Sequence, residues 1–173
     1  MRTAAALLSA LALTACATMP TERGDVVGTA DLRFADGRSA GTATLVETDG
    51  ELMLDVSASG LPSGPRGIHL HTVGACVAPD FQSAGAHLNP FNRDHGLADA
   101  DGAHLGDLPN IDIAASGTTR ARFQVADDAQ AVLPLIFDAD GTALIIHAQA
   151  DDNVTDPSGN AGARLVCGEM MRS

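Results

Sequence analysis

Two histidines stand two residues apart in the segment GIHLHTVGAC, residues 67–76. Side chains alternate between the faces of a β-strand, so we expect His69 and His71 to point to the same face. Two neighbouring imidazoles repel each other when both are protonated. When both are neutral, they occupy buried surface with polar nitrogens that need a partner, unless something binds both. A metal ion fits this pattern, because neutral imidazole is a common ligand of zinc and copper.

All six histidines of the chain fall between positions 69 and 147. A single histidine in a strand is usually an ordinary core or surface residue, so the prediction depends on the cluster. His147 ends the branched segment ALIIH, and the residues after the first pair supply four further candidate ligands: His87, His95, His104 and Asp107. Three nitrogens with one carboxylate suit structural zinc, whereas a nitrogen cluster without thiolate suits copper. The residues alone predict at least one metal site, for zinc or copper.

Segments with strand character must position these side chains. Alternating or β-branched stretches occur at residues 26–34, 41–47, 51–59, 118–125, 141–149 and 161–169. Asp-Gly pairs separate several of them, as tight hairpins require. No long stretch keeps a helical period, so the pattern predicts an all-β sandwich or flattened barrel. Two segments lack the alternation and are expected to be loops, the first one long enough to suggest a function: residues 74–111 and residues 150–160.

The composition excludes several classes of protein. The chain has 173 residues, 45% of them apolar, which is enough for one domain with a core and argues against disorder. Its ten basic residues are all arginine and face 22 acidic residues, for a net charge of -12. Nucleic acid is therefore not an expected partner, because phosphate binding needs clustered cations.

The N-terminus has the features of an export signal. A basic start is followed by an apolar run, residues 4–13, that is too short to span a bilayer. The residues LTAC that end this region resemble a bacterial lipobox. They predict a signal peptide over residues 1–15, a lipid-modified Cys16, and a tether over residues 16–24. An ordinary secretory signal that is cleaved nearby is the alternative.

Either form of export places the domain, residues 25–173, in the periplasm. A lipid on Cys16 would be the only contact with the membrane, and it would anchor the protein without spanning the bilayer. With Cys16 modified, Cys76 and Cys167 remain as an even pair in an oxidising compartment, where a disulfide is expected.

Five segments, in order along the chain, resemble the signature segments of copper-zinc superoxide dismutases: GIHLHTVGAC, SAGAHLNPFNRDHG, HLGDLPN, IIHAQADD and DPSGNAGARLVCGE. The short stretch NVTDPS before GNAG is most similar to the bacterial periplasmic, lipoprotein-type branch. The resemblance covers nearly the whole chain after the tether and accounts for every histidine. It implies an eight-stranded Greek-key β-sandwich or flattened barrel, with a long metal-binding loop and a shorter electrostatic loop.

The resemblance also implies a metal ligand set. Copper would be held by four histidines: His69, His71, His87 and His147. Zinc would be held by three histidines and a carboxylate: His87, His95, His104 and Asp107. His87 would therefore bridge the two ions. Asp151 would link the copper ligand His69 to the zinc ligand His95 and fix their orientation.

The implied reaction is the dismutation of superoxide to dioxygen and hydrogen peroxide by ping-pong redox cycling of copper, with zinc in a structural role. Arg164 would stand beside the copper and guide the anion, which makes Arg164 and His87 the implied catalytic residues. The chain has no lysine, so any other steering charge would come from arginines such as Arg66 or Arg93. Cys76 and Cys167 match the family's disulfide.

The main alternative from another class is a periplasmic copper or zinc carrier without turnover. A carrier predicts exposed, exchangeable ligands, often methionine or cysteine, whereas these ligands come from separated strands and a long loop. A purely structural lipoprotein would leave the six histidines unexplained. No pattern in the sequence favours a monomer over a dimer.

Overall fold

The computed structural model describes residues 24–173. The predicted signal peptide, the lipidation site Cys16 and nearly all of the predicted tether lie outside these residues. Within the described range the chain forms strands β1 to β10 and a helix, α1: β1 Asp25–Phe34, β2 Ser39–Thr48, β3 Glu51–Ser59, β4 Gly64–Arg66, β5 Ile68–His71, β6 Ile111–Ile113, β7 Thr118–Ala126, α1 Ala129–Ile136, β8 Ala143–His147, β9 Arg164–Glu169 and β10 Met171–Arg172. No helix in this range is both long and apolar enough to cross a membrane.

The strands form one curled antiparallel sheet. Its order is β5-β8-β9-β1-β2-β3-β7, and β10 pairs with β1 beside that path. After the meander β1-β2-β3 the chain crosses to the far edge as β5, and it later returns to the other edge as β7. A short ribbon of β4 and β6 accompanies the eight-stranded sheet. This arrangement confirms the predicted all-β, flattened-barrel fold.

The core lies within this curl and is mostly aliphatic. Strands β1, β2 and β3 bury alternate residues, so Leu32, Leu45 and Leu54 point inward and are fully buried. Each such side chain contributes about 1.5–3 kcal/mol when it leaves water. The alternation read from the sequence therefore identifies the face of the sheet that forms the core.

Strand β8 differs because it is buried on both faces. Leu144 and Ile146 pack into the main core, whereas Ala143 and Ile145 pack against Phe81 of the long loop. A strand covered on both sides is expected to be a continuous apolar run, as ALIIH is. The loop of residues 74–110 is therefore packed against the sheet along part of its length.

Helix α1 was not predicted from the sequence. Asp128 caps it by accepting a hydrogen bond from the backbone N–H of Ala131 at 3.1 Å. Its buried residues follow helical spacing: Ala129, Val132, Leu133 and Ile136. The helix has only eight residues and contains Pro134, so its period is too short to distinguish from a loop in sequence.

Cys76 and Cys167 form the predicted disulfide, with their Cα atoms 5.7 Å apart. The bond joins the start of the long loop to β9 across a sequence separation of 91. In the chain-entropy model a loop of this size gives an upper estimate of about 4–5 kcal/mol of stabilisation. Glu169 also accepts a hydrogen bond from the backbone N–H of Cys76 at 3.0 Å, so the loop is held to β9 twice.

Candidate metal centre

Two paired strands provide three of the six histidines. His69 and His71 lie in β5 and His147 ends β8, and these strands pair from Ile68 opposite Ile146 to His71 opposite Ala143. The two-residue spacing in β5 places both imidazoles on the side where His147 also lies, as the strand period predicts.

The long loop brings the other ligands to the free edge of β5. Leu70 in the middle of that strand donates its N–H to the carbonyl of Gly106 at 2.9 Å and accepts from the N–H of Leu88 at 2.8 Å. A Cβ on Gly106 would lie 2.2 Å from the carbonyl oxygen of Leu70, so a side chain there would push the strand and loop apart. This pairing sets His87 and Asp107 next to β5.

The first cluster, here called the four-histidine group, contains His69, His71, His87 and His147. Each residue offers one ligand atom, and these atoms all lie within 4.8 Å of one another. Each also has one buried ring nitrogen without a hydrogen-bond partner among the described residues: His69 Nδ1, His71 Nε2, His87 Nε2 and His147 Nε2. An unsatisfied buried polar atom costs about 1–3 kcal/mol, so four together favour a bound ion. A cluster of imidazoles without thiolate fits copper.

The second cluster, here called the carboxylate group, contains His87, His95, His104 and Asp107. The Nδ1 atoms of His87, His95 and His104 lie 2.8, 3.1 and 3.2 Å from oxygens of Asp107. Neighbouring ligand atoms around tetrahedral zinc with bonds of about 2.0–2.1 Å are about 3.3–3.4 Å apart. The donor set and its spacing therefore fit zinc, and His87 belongs to both groups.

The remaining nitrogens of the four-histidine group are held by hydrogen bonds. Nδ1 of His71 lies 2.9 Å from the carbonyl of Gly85, and Nδ1 of His147 lies 3.2 Å from that of Gly162. A carbonyl only accepts, so each of these nitrogens carries the proton. The other nitrogen of each ring is therefore left with a free lone pair for a metal.

The carboxylate of Asp151 connects the two groups by contacting one histidine of each. Its Oδ2 lies 2.5 Å from Nε2 of His69, and its Oδ1 lies 3.1 Å from Nε2 of His95. The backbone of Asp151 is in turn fixed by the side-chain amide of Asn110, which both donates and accepts at 2.8 Å. Gly159 gives the carboxylate room, because a Cβ there would lie 1.8 Å from Asp151 Oδ1. Asn110 and Gly159 were not predicted, and no short-range pattern marks them.

Burial favours the neutral form of three histidines in the four-histidine group. Loss of hydration is the main cause that lowers the pKa of His71 to about 2, of His147 to about 3 and of His87 to about 4. Neutral imidazole is the form that binds metal, so these ligands are ready at any physiological pH.

His95, which lies between Asp107 and Asp151, has the opposite electrostatics. Burial would lower the pKa of His95, but hydrogen bonds to Asp107 and Asp151 outweigh it and raise that pKa to about 10. Burial would raise the pKa of each carboxyl, yet the bonds to histidine outweigh it and keep both pKa values well below their usual range. The two carboxylates thus favour positive charge at this position, which suits the charge of zinc.

The four-histidine group opens on a cleft. His71, His87 and His147 line it together with Arg164, whereas His69 is fully buried behind them. The guanidinium of Arg164 donates to the carbonyls of Phe81 at 2.8 Å and Gly85 at 2.7 Å. Arg164 therefore lines the same cleft as three members of the four-histidine group.

Arg66 and Arg93, the other steering candidates, do not line this cleft. The guanidinium of Arg66 donates to the carbonyls of Pro62, Ser63 and Ala148, so it ties backbone segments together. Neither arginine is therefore part of the cleft wall.

Comparison with known proteins agrees with this geometry. A family model described as copper/zinc superoxide dismutase matches residues 39–170, which is most of the chain. The chain belongs to the copper/zinc superoxide dismutase family. Copper and zinc are the cofactors of this family, and the two ligand groups described above fit them.

Relatives within the family are bacterial and animal proteins. A copper-zinc superoxide dismutase of Caulobacter vibrioides is 40% identical over 144 residues, which cover 81% of this chain and 83% of the relative. The superoxide dismutase-like protein YojM of Bacillus subtilis is 42% identical over 140 residues, 79% of this chain and 71% of the relative.

Two solved structures show the same fold. A crystal structure of a superoxide dismutase-like protein from Bacillus subtilis aligns with a TM-score of 0.77 at 41% identity and covers 83% of this chain and 97% of that one. The Cu/Zn superoxide dismutase from Brucella abortus aligns with a TM-score of 0.67 at 26% identity, covering 82% and 97% of the two chains.

Single substitutions should separate the two metals. His147→Ala removes a ligand that only the four-histidine group uses, so copper should fall at least about tenfold while zinc stays. Asp107→Ala removes the anionic ligand of the carboxylate group, so zinc should be lost first on dialysis. Metal analysis by mass spectrometry measures both contents per chain. The two variants serve as controls for each other, and loss of the same metal from both would contradict two distinct sites.

Proposed function

We propose that this protein dismutates superoxide, converting two superoxide anions and two protons into dioxygen and hydrogen peroxide. Copper held by the four-histidine group would supply the redox chemistry in a ping-pong cycle, and zinc held by the carboxylate group would be structural. The family supports this activity. The observation that carries it is the shared opening, where three histidines with available nitrogens meet one fixed guanidinium.

Arg164 attracts and orients the anion. A guanidinium stays charged at any working pH and has five N–H donors. Two carbonyls fix its direction through Nη1 and Nη2, which leaves other donors for a small anion. The substrate is thus held beside the ring nitrogens of His71 and His147 at the cleft.

His87 connects redox change to proton supply. Its Nδ1 lies against Asp107, and its Nε2 faces the other three histidines. Nε2 has a lone pair, so it could hold one of the two protons that peroxide requires. Asp151 and Asn110 keep His69 and His95 in place while this happens.

A metal carrier is the competing function, and one relative is named only superoxide dismutase-like. Rapid exchange needs accessible ligands, whereas these ligands are buried and most are oriented by a second hydrogen bond. The arrangement therefore supports retained metals and turnover.

The metal-loaded protein should consume superoxide and keep its metals in the presence of a chelator. Arg164→Ala should lower the second-order rate roughly tenfold with unchanged metal content, because steering by a single charge lies at the low end of the usual range. Arg164→Glu should lower it further, and added salt should narrow the gap between the variants. Stopped-flow assays at two ionic strengths measure these rates.

Arg120→Ala is the matched control, because Arg120 is an exposed arginine on β7 that lines a different cleft. Its rate should equal that of the parent. Metal transfer to the chelator without superoxide consumption would support the carrier. A parent-like rate for Arg164→Glu at low salt would place the steering role elsewhere.

We also propose that the protein is exported and anchored by lipid, with residues 1–15 removed, Cys16 modified, residues 16–24 as a tether and residues 25–173 as the domain. The lipobox-like LTAC supports the anchor, and the Cys76–Cys167 disulfide supports an oxidising compartment. Intact-mass spectrometry of membrane-extracted protein should give a chain that begins at Cys16, with added acyl mass and no free thiol. A mature chain that begins after Cys16 would contradict the anchor.

A further inference from the structure

The attraction of anions to the cleft at the four-histidine group depends on one permanent charge. Of the described residues that line it, Arg164 is the only one charged whatever the state of the histidines. The segment that leads to it, residues 148–163, contains Asp151, Asp152 and Asp156 but no arginine or lysine. An entering anion therefore responds mainly to the local field of Arg164, against a chain with 22 acidic residues.

Asp80 lies one peptide unit away from this guanidinium. The peptide between Phe81 and Gln82 links them, because its carbonyl accepts from Arg164 Nη1 at 2.8 Å and its N–H donates to Asp80 Oδ1 at 3.2 Å. Standard peptide dimensions then keep the carboxylate within about 8 Å of the guanidinium. Burial lowers the pKa of Arg164 and the charge of Asp80 opposes that shift, so the two groups interact.

We propose that Asp80 weakens the attraction of Arg164 for anions and thereby limits anion capture at the cleft. An anion that approaches meets a pair of opposite charges in place of a free cation. A separation of this size is comparable to the screening length of about 8 Å at physiological salt. The influence of Asp80 on an approaching anion therefore remains at physiological salt and increases at low salt. The identity of superoxide as the captured anion rests on the proposed function, whereas the effect on anions in general does not.

Asp80→Asn tests this directly, since it removes the charge and keeps an oxygen that can accept from the N–H of Gln82. Azide serves as the probe anion, and its dissociation constant is measured from the visible absorption of the cupric, metal-loaded protein. At low ionic strength we expect that constant to fall, and the second-order rate with superoxide to rise, by about two- to five-fold. Added salt should reduce both differences.

Two variants control for other causes. Asp112→Asn makes the same change in net charge, but Asp112 is exposed on β6 and lines a separate cleft with Ser57 and Arg120, so its azide constant should equal that of the parent. Asp80→Glu keeps the charge and should also behave as the parent. Metal content should be the same in all three variants.

If the dissociation constant of azide is unchanged in Asp80→Asn at low salt, the proposal is overturned. An equal change in Asp112→Asn would overturn it too, because the effect would then come from net charge. If the metal-loaded parent consumes no superoxide, the proposed function fails, and the azide constants still decide the role of Asp80.

Discussion

The imidazole of His87 belongs to two ligand groups at once, and the site depends on the direction of this ring. Its Nδ1 lies 2.8 Å from Asp107, while its buried Nε2 has no partner among the described residues. Both groups lose a member if the ring turns away. The backbone around it therefore matters: a β-bridge joins His87 to His71, and the next residue, Leu88, is bonded to Leu70 in β5. The edge of the sheet thus sets the geometry of a residue in a loop.

The same arrangement couples metal binding to folding. Each member of the four-histidine group has one buried ring nitrogen without a hydrogen-bond partner among the described residues, and each such nitrogen costs about 1–3 kcal/mol when left unsatisfied. The disulfide and the apolar packing of β8 against Phe81 offset this cost and hold the loop in place. Bound metals would satisfy the nitrogens, so metal affinity appears as stability of the folded state.

Sequence patterns predicted the parts of the site that lie on strands. His69 and His71 follow the period of two, and His147 ends a recognisable apolar strand. The division of ligands between two ions came from resemblance, because the residues from His87 to Asp107 lie in a loop without a period.

Residues that act through long-range contacts carry no local pattern: only the resemblance indicated Asp151 and Arg164, and nothing indicated Asn110. Asn110 contacts Asp151 across 41 positions, and only the folded chain shows that contact. Residue type alone does not distinguish Arg66 from Arg164; the structure shows that Arg66 bonds to the carbonyl of Pro62, whereas Arg164 bonds to that of Phe81 and lines the cleft.

Anomalous X-ray diffraction from crystals of the metal-loaded protein tests the shared imidazole most directly. Data collected on both sides of the copper and zinc absorption edges locate each element separately. The sharing of the His87 imidazole between two ions predicts one copper peak among His69, His71, His87 and His147, and one zinc peak beside Asp107, on opposite sides of the ring. A single peak per chain, or two peaks that do not both contact His87, would contradict it.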